Sequence, residues 1–269
     1  VPSYVPSFVP SIQPTKIPSG VPSAVPSFAP SIEANKVYYI GVYAGDGDAD
    51  SAGNGGAATL AGINKPYDVF FDGAAGLGNM YVAEDDGNMI RKVDTNGDIS
   101  VFAGTGASTL TASGDDGPAT SADLVKPRCV WGDTNDNIYI CDHTNHNVRV
   151  VNGTTGLIRR FAGHPTALGS GGDGKAATSA RLNAPLDVFG DTLGAVYIVD
   201  FSASRVRKVL SNGIITKFAG GTAGYDVADD GKQATSAKLG NPQGIYVDTV
   251  GNAYITQSTF HVVRKVASD

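Results

Sequence analysis

GDGKAATSARLNAPLDVFGD (172–191), GAVYIVD (194–200), VRKV (206–209) and GIITKFAG (213–220) form a unit that this 269-residue chain writes out repeatedly. Its loop and first strand recur as GNGGAATLAGINKPYDVFFD (53–72), GDDGPATSADLVKPRCVWGD (114–133) and DDGKQATSAKLGNPQGIYVD (229–248). The tyrosine-centred segment recurs as GNMYVAE (78–84), DNIYICD (136–142) and GNAYITQ (251–257), and the basic segment as IRKV (90–93), VRVV (148–151) and VRKV (263–266). The last piece recurs as GDISVFAG (97–104) and GLIRRFAG (156–163), and an Ala-Gly pair stands at 44–45, 103–104, 162–163 and 219–220. A self-similarity of 57–59 residues controls the fold before any local propensity does.

Within each unit the apolar segments are short, rich in β-branched and aromatic residues, and bounded by Gly, Asn or Asp. That is the strand-and-turn pattern, with no helical period. Three to four short strands repeated four times describe propeller blades, with units at about 44–103, 103–162, 162–219 and 219–269.

These spaced elements, GDG-x-ATSA-x-L-x-x-P, D-x-x-GN-x-Y, RKV and G-x-I-x-x-FAG, resemble the NHL repeat over about 44–266. The resemblance implies an all-β, four-bladed NHL-type β-propeller. It departs from the family's usual six blades, which puts ring closure at issue. The fourth unit stops at Val266, where its last strand should begin. VYYIGVYAG (37–45) fits that slot, because Val42-Tyr43-Ala44-Gly45 lines up with Val101-Phe102-Ala103-Gly104. The expectation is a propeller closed in cis by this N-terminal strand, which would remove an open edge. Two alternatives stand beside it: donation of the same strand to a neighbouring molecule, and a piece of a longer propeller.

Composition shifts at residue 33. Residues 1–32 are eight x-Pro-Ser-x tetrapeptides, with Thr15 replacing one serine, and 33–269 hold the repeats. Proline fixes φ, removes the amide donor and keeps the preceding residue out of the helical region. An extended polyproline II arm of roughly 100 Å is expected. Ser- and Pro-rich tracts are the composition of O-glycosylated stalks. The arm resembles the proline-serine repeats of heavily glycosylated extracellular proteins of algae and related protists. The candidate modification sites are Pro2, Ser3, Pro6, Ser7, Pro10, Ser11, Pro14, Thr15, Pro18, Ser19, Pro22, Ser23, Pro26, Ser27, Pro30 and Ser31.

A net charge of −6 argues against a nucleic-acid partner. No apolar run approaches the ~20 residues of a membrane span. No signal peptide is visible, so a mature or truncated chain is expected. Cys129 and Cys141 flank a turn centred near Asn135, and hairpin pairing would place them opposite each other as a disulfide. Asn152-Gly153-Thr154 is an N-glycosylation sequon, with Asn152 in a turn.

His143 and His146 read as solvated loop residues, and Asp46, Asp48 and Asp50 as a turn with at most weak surface calcium affinity. No cofactor is expected. Arg91, Arg149, Arg207 and Arg264 recur, as do Asp72, Asp133, Asp191 and Asp248. A group present in every unit is expected to serve blade geometry through bonds to turns, since a catalytic residue is needed once. Thr59, Thr120, Thr178 and Thr235 are expected to bond to nearby loop backbone.

The functional expectation is a non-enzymatic extracellular or cell-surface structural or adhesive glycoprotein. Glycans would be covalently attached, and it would self-associate into a fibre, surface appendage or matrix. The alternatives are a propeller that binds a protein or glycan, and a metal-dependent lyase- or lactonase-like enzyme.

Overall fold

A computed structural model describes residues 40–73, 78–108, 113–164 and 167–268. The Pro-Ser arm, with its expected helix and glycans, lies outside the described residues. By contacts the chain separates into Val1–Gly41 and Val42–Asp269. The second unit is an all-β, four-bladed propeller without an α-helix among the described residues.

Blade one is a five-stranded antiparallel sheet of β1 (Gly56–Ala57), β2 (Pro66–Phe71), β3 (Met80–Glu84), β4 (Met89–Val93) and β5 (Asp98–Ala103), ordered β1-β5-β4-β3-β2. Blade two repeats that order with β6 (Gly117–Pro118), β7 (Pro127–Gly132), β8 (Ile138–Asp142), β9 (Asn147–Val151) and β10 (Leu157–Ala162). Blade three does so with β11 (Lys175–Ala176), β12 (Pro185–Gly190), β13 (Val196–Asp200), β14 (Arg205–Val209) and β15 (Ile214–Gly220). Blade four has three strands, β16 (Pro242–Val247), β17 (Ala253–Gln257) and β18 (Val262–Val266).

Each inner strand opens on its repeated proline, where a missing amide costs no ladder bond. A bulge follows in every case: between Pro66 and Asp68, Pro127 and Cys129, Pro185 and Asp187, and Pro242 and Gly244. Bulges re-aim the next side chain. Asp68 thereby accepts the Val130 amide of blade two at 2.9 Å, and Asp187 accepts the Ile245 amide of blade four at 2.7 Å. Blade two spends the same position on Cys129, which pairs opposite Cys141 and is disulfide-bonded to it, as expected.

The core lies between successive blades. Val130, Ile138 and Ile140 of blade two pack on Ala83 and Ile90 of blade one. Val188 and Ile198 of blade three pack on Cys141 and Val148 of blade two, and Ile245 and Ile255 of blade four on Val199 and Val206 of blade three. A Cβ on Gly190 would lie 2.2 Å from the Trp131 ring, so glycine there admits the preceding blade's indole.

The inner strands pack in the succession β2, β7, β12, β16, and β16 does not pack on β2 in the same way. The closing strand differs from expectation. Residues 40–45 form no strand, and Val42 and Tyr43 are exposed. Gly45 and Asp46 instead donate to the Ala58 and Ala61 carbonyls of blade one, at 2.9 and 3.0 Å. Residues 37–39 lie outside the described residues. Among the described residues no helix is long and apolar enough to cross a membrane.

Candidate functional site

The recurring aspartates do what the repeat implied. Asp133 accepts the Asn135 and Asn137 amides at 2.9 and 3.0 Å and the Tyr139 hydroxyl at 3.2 Å, closing the turn between β7 and β8. Asp191 and Asp248 bind their turns and Tyr197 or Tyr254 likewise, and Asp72 binds Asn79 and Tyr81.

The recurring arginines act elsewhere. Arg91, Arg149 and Arg207 are fully buried. Arg91 pairs with the buried Glu84 at 3.0 Å. Arg149 reaches Asp115 at 2.8 Å and Asp142 at 3.8 Å, and Arg207 reaches Asp173 at 2.8 Å and Asp200 at 3.7 Å. Blade four keeps only the loop partner, Asp230 at 2.7 Å, because Gln257 replaces the strand acid. The sequence carried a signal for these acids. Glu84, Asp142 and Asp200 close the same repeated segment, but a segment-by-segment reading does not pair them with the following arginine.

Burial pushes Asp142 up to about 6 and Asp200 up to about 7, against the pull of their arginines. Burial also pushes Asp187 up to about 7. Thr59, Thr120 and Thr178 sit on short 3-10 turns with exposed side chains, and among the described residues none of the three bonds to loop backbone, unlike the expectation.

The un-repeated residues gather where blades one and two meet. Arg128 on β7 donates to Asp85 at 3.1 Å, approaches His143 Nε2 at 3.2 Å and lies over the Tyr67 ring at 5.1 Å. Lys65 bridges Asp85 at 2.6 Å and Asp86 at 3.4 Å, and Lys126 holds Asp86 at 3.1 Å. Burial opposes the charge of Asp85, but the bonds from Lys65 and Arg128 hold its carboxyl below the ordinary range.

Burial, then Arg128, depresses His143 to about 4. Its ring is therefore neutral at pH 7, and Nε2 must accept from the guanidinium. His146 accepts the Ala184 amide at 3.0 Å. Both histidines are half-buried framework residues, which corrects the solvated reading. They were missed because their partners lie on other blades.

Asp46 and Asp50 turn back on their own loop, accepting the Asp48 and Ala52 amides at 2.8 and 2.9 Å. Among the described residues no group of three or more His, Cys, Asp or Glu side chains converges as metal ligands. Asn152 is exposed in the turn before β10. Its Nδ2 donates to Asn137 at 3.3 Å and its Oδ1 accepts from Thr155.

The remaining feature lies along β18, an edge strand among the described residues. A groove of about 980 Å³ runs along it between Val262–Ala267 and the loop 229–239. In blades one to three an outer strand occupies that place.

This chain is similar to teneurins. It is 27% identical to mouse teneurin-4 over 245 residues and 28% identical to mouse teneurin-3 over 248 residues, covering 80% and 82% of the chain. Chicken teneurin-1 is 26% identical over 247 residues. The chain spans only 8–9% of the length of these relatives. No family model matches.

Among solved structures, an auxiliary nutrient binding protein from Bacteroides thetaiotaomicron superposes with a TM-score of 0.58 at 18% identity, covering 77% of this chain and 48% of that one. A structural genomics protein of unknown function from the same organism gives 0.57 at 21%, covering 74% and 46%. These two likenesses establish the fold alone.

Proposed function

We propose that this chain is a non-enzymatic extracellular or cell-surface module, structural or adhesive. Here an NHL-type propeller is carried behind a glycosylated Pro-Ser arm and self-associates into a fibre, surface appendage or matrix. One observation carries the reading. The ionisable residues that recur in every blade are spent on the blades' own framework, as buried Arg–acid pairs and Asp-closed turns. A chain built this way invests its charge in rigidity and leaves its surfaces for contact. The disulfide suits an oxidising exterior, and the likeness to teneurins supports placing this repeat unit outside the cell.

Beads coated with the full chain should aggregate with one another, and beads coated with a disulfide-reduced, unfolded chain should not. Equal behaviour of the two coats would defeat the adhesive reading. The function needs no cofactor, and any calcium at Asp46, Asp48 and Asp50 is peripheral. EDTA should therefore leave bead aggregation unchanged, and a requirement for added calcium would show otherwise. Mass spectrometry of the native chain reports the proposed sugars on the Pro-Ser tetrapeptides and at Asn152, and an unsubstituted arm would remove the glycoprotein part of the reading.

A second reading, a propeller that binds a protein or glycan partner, is favoured by the Arg128 cluster, which no other blade repeats. A ligand screen in which a hit is lost with Arg128→Ala would support it. A hit insensitive to that change would place binding elsewhere.

A further inference from the structure

The seam between blades one and two carries charge that the later seams do without. Counted from the repeated proline, Lys126 and Arg128 stand where blade three has Ala184 and Leu186 and blade four has Asn241 and Gln243. Counted from the end of the second strand, Asp85 and Asp86 stand where blade three has Phe201 and Ser202 and blade four has Ser258 and Thr259. Yet the seams are joined alike. The Lys126 amide donates to Asn88 Oδ1 at 3.0 Å, and the Ala184 amide donates to His146 Nδ1 at 3.0 Å. A backbone bond to the turn of the preceding blade closes each seam, and charged side chains are not required for it.

What the charges build is a row of alternating sign: Lys126, Asp86, Lys65, Asp85 and Arg128. Three cations meet two carboxylates, and His143 is neutral. Among the described residues one positive charge therefore stays unanswered, in a chain whose net charge is −6.

The surplus falls on Arg128. Its guanidinium is fixed on three sides, with Nε on Asp85, Nη1 on His143 and one face on the Tyr67 ring. Nη2 makes no bond among the described residues, and the side chain keeps 24% of its surface. A guanidinium held still with an open edge is a preorganised receptor for a planar carboxylate. Lys126 and Asp86, each 44% exposed, continue the row.

The mixture of signs selects the ligand. A run of acidic side chains would meet Arg128 but be repelled by the exposed Asp86 carboxylate. A neutral sugar would leave the guanidinium unanswered. A sugar acid carries one carboxylate for the cation and hydroxyls that donate to a carboxylate. We propose that this rim binds a uronic acid residue of an acidic polysaccharide, its carboxylate on the open edge of Arg128 beside Lys126 and a hydroxyl donating to Asp86. The inference rests on the binding reading above and names its ligand.

Tetragalacturonate and tetramannuronate are titrated into the full chain by calorimetry, beside the methyl ester of the first and tetraglutamate. At least one acidic saccharide should bind. The ester and tetraglutamate should bind at least about tenfold more weakly. Arg128→Gln and Lys126→Ala install residues that blades four and three carry at the same places, so the fold should be kept. The first should cost at least about tenfold in affinity and the second about threefold. Lys175→Ala, exposed at the outer edge of blade three, should cost nothing.

Asp86→Ala separates recognition from simple charge. It makes the rim more positive, so a ligand held by charge alone should bind more tightly. The saccharide should instead bind at least about threefold more weakly, having lost the acceptor for its hydroxyl.

No binding by either acidic saccharide overturns the proposal. So does equal binding of the ester, or affinity that survives Arg128→Gln. Tetraglutamate binding more tightly than both saccharides would make the partner an acidic protein segment, which sinks the saccharide and keeps the binding reading. A ligand screen without any hit that depends on Arg128 would sink both.

Discussion

The buried arginines show how a repeat turns one chemical solution into four blades. Arg207 has no exposed surface and is held by Asp173, Asp200 and the Arg181 carbonyl. Arg207→Leu leaves Asp200 in the interior without its cation, where burial keeps its carboxyl protonated, so the loss by urea unfolding should be about 1–3 kcal/mol, that of an unsatisfied buried polar group. Adding Asp200→Leu should recover a substantial part, because an apolar pair needs no desolvated charge. A single variant that costs under about 1 kcal/mol would show the pair to be incidental.

Asp187 sets a pH dependence. Its folded value is about 7 against an ordinary 3.8, mainly through burial. Between those values the folded chain keeps a proton that the unfolded chain has released. Stability therefore falls as pH rises through this window, by up to about 1.4 kcal/mol per unit. Asp200 acts in the same direction. His143, depressed to about 4 from 6.5, opposes them, adding stability as pH rises between those values. Asp187→Asn cannot titrate, so between about pH 5 and pH 7.5 it should lose less stability than the parent chain. An equal loss in both would remove Asp187 as the source.

At the scale of strands and blades, most of the architecture was legible in the sequence because the same residues recur at the same spacing. Pro66, Pro127, Pro185 and Pro242 start the inner strands, and the tyrosines mark the second strands. The Cys129–Cys141 pairing followed from hairpin symmetry. What was not legible crosses blades. The Arg128–His143–Asp85 cluster depends on which loop lies beside which, and Ala184 meets His146 only after two blades have stacked. The left-handed residues before each inner-strand proline, Lys65, Lys126, Ala184 and Asn241, carry no shared residue type that would announce them.

One outcome belongs to this scale. Removing the disulfide as Cys129→Ser with Cys141→Ser should lower stability by about 2–3 kcal/mol, measured by urea unfolding, because its closed loop is short.

For the molecule as a whole, stability should be graded along the array. Among the described residues the core clusters join successive blades, so blades two and three have two such interfaces and blades one and four have one. Among the described residues blade four has three strands against five in each of the others, so unfolding of these 269 residues should begin there. Ile255→Ala in blade four removes a fully buried side chain, as Ile140→Ala does in blade two. Either should cost about 2–4 kcal/mol locally. The blade-four change should broaden unfolding and advance its earliest phase, while the blade-two change should move the main transition.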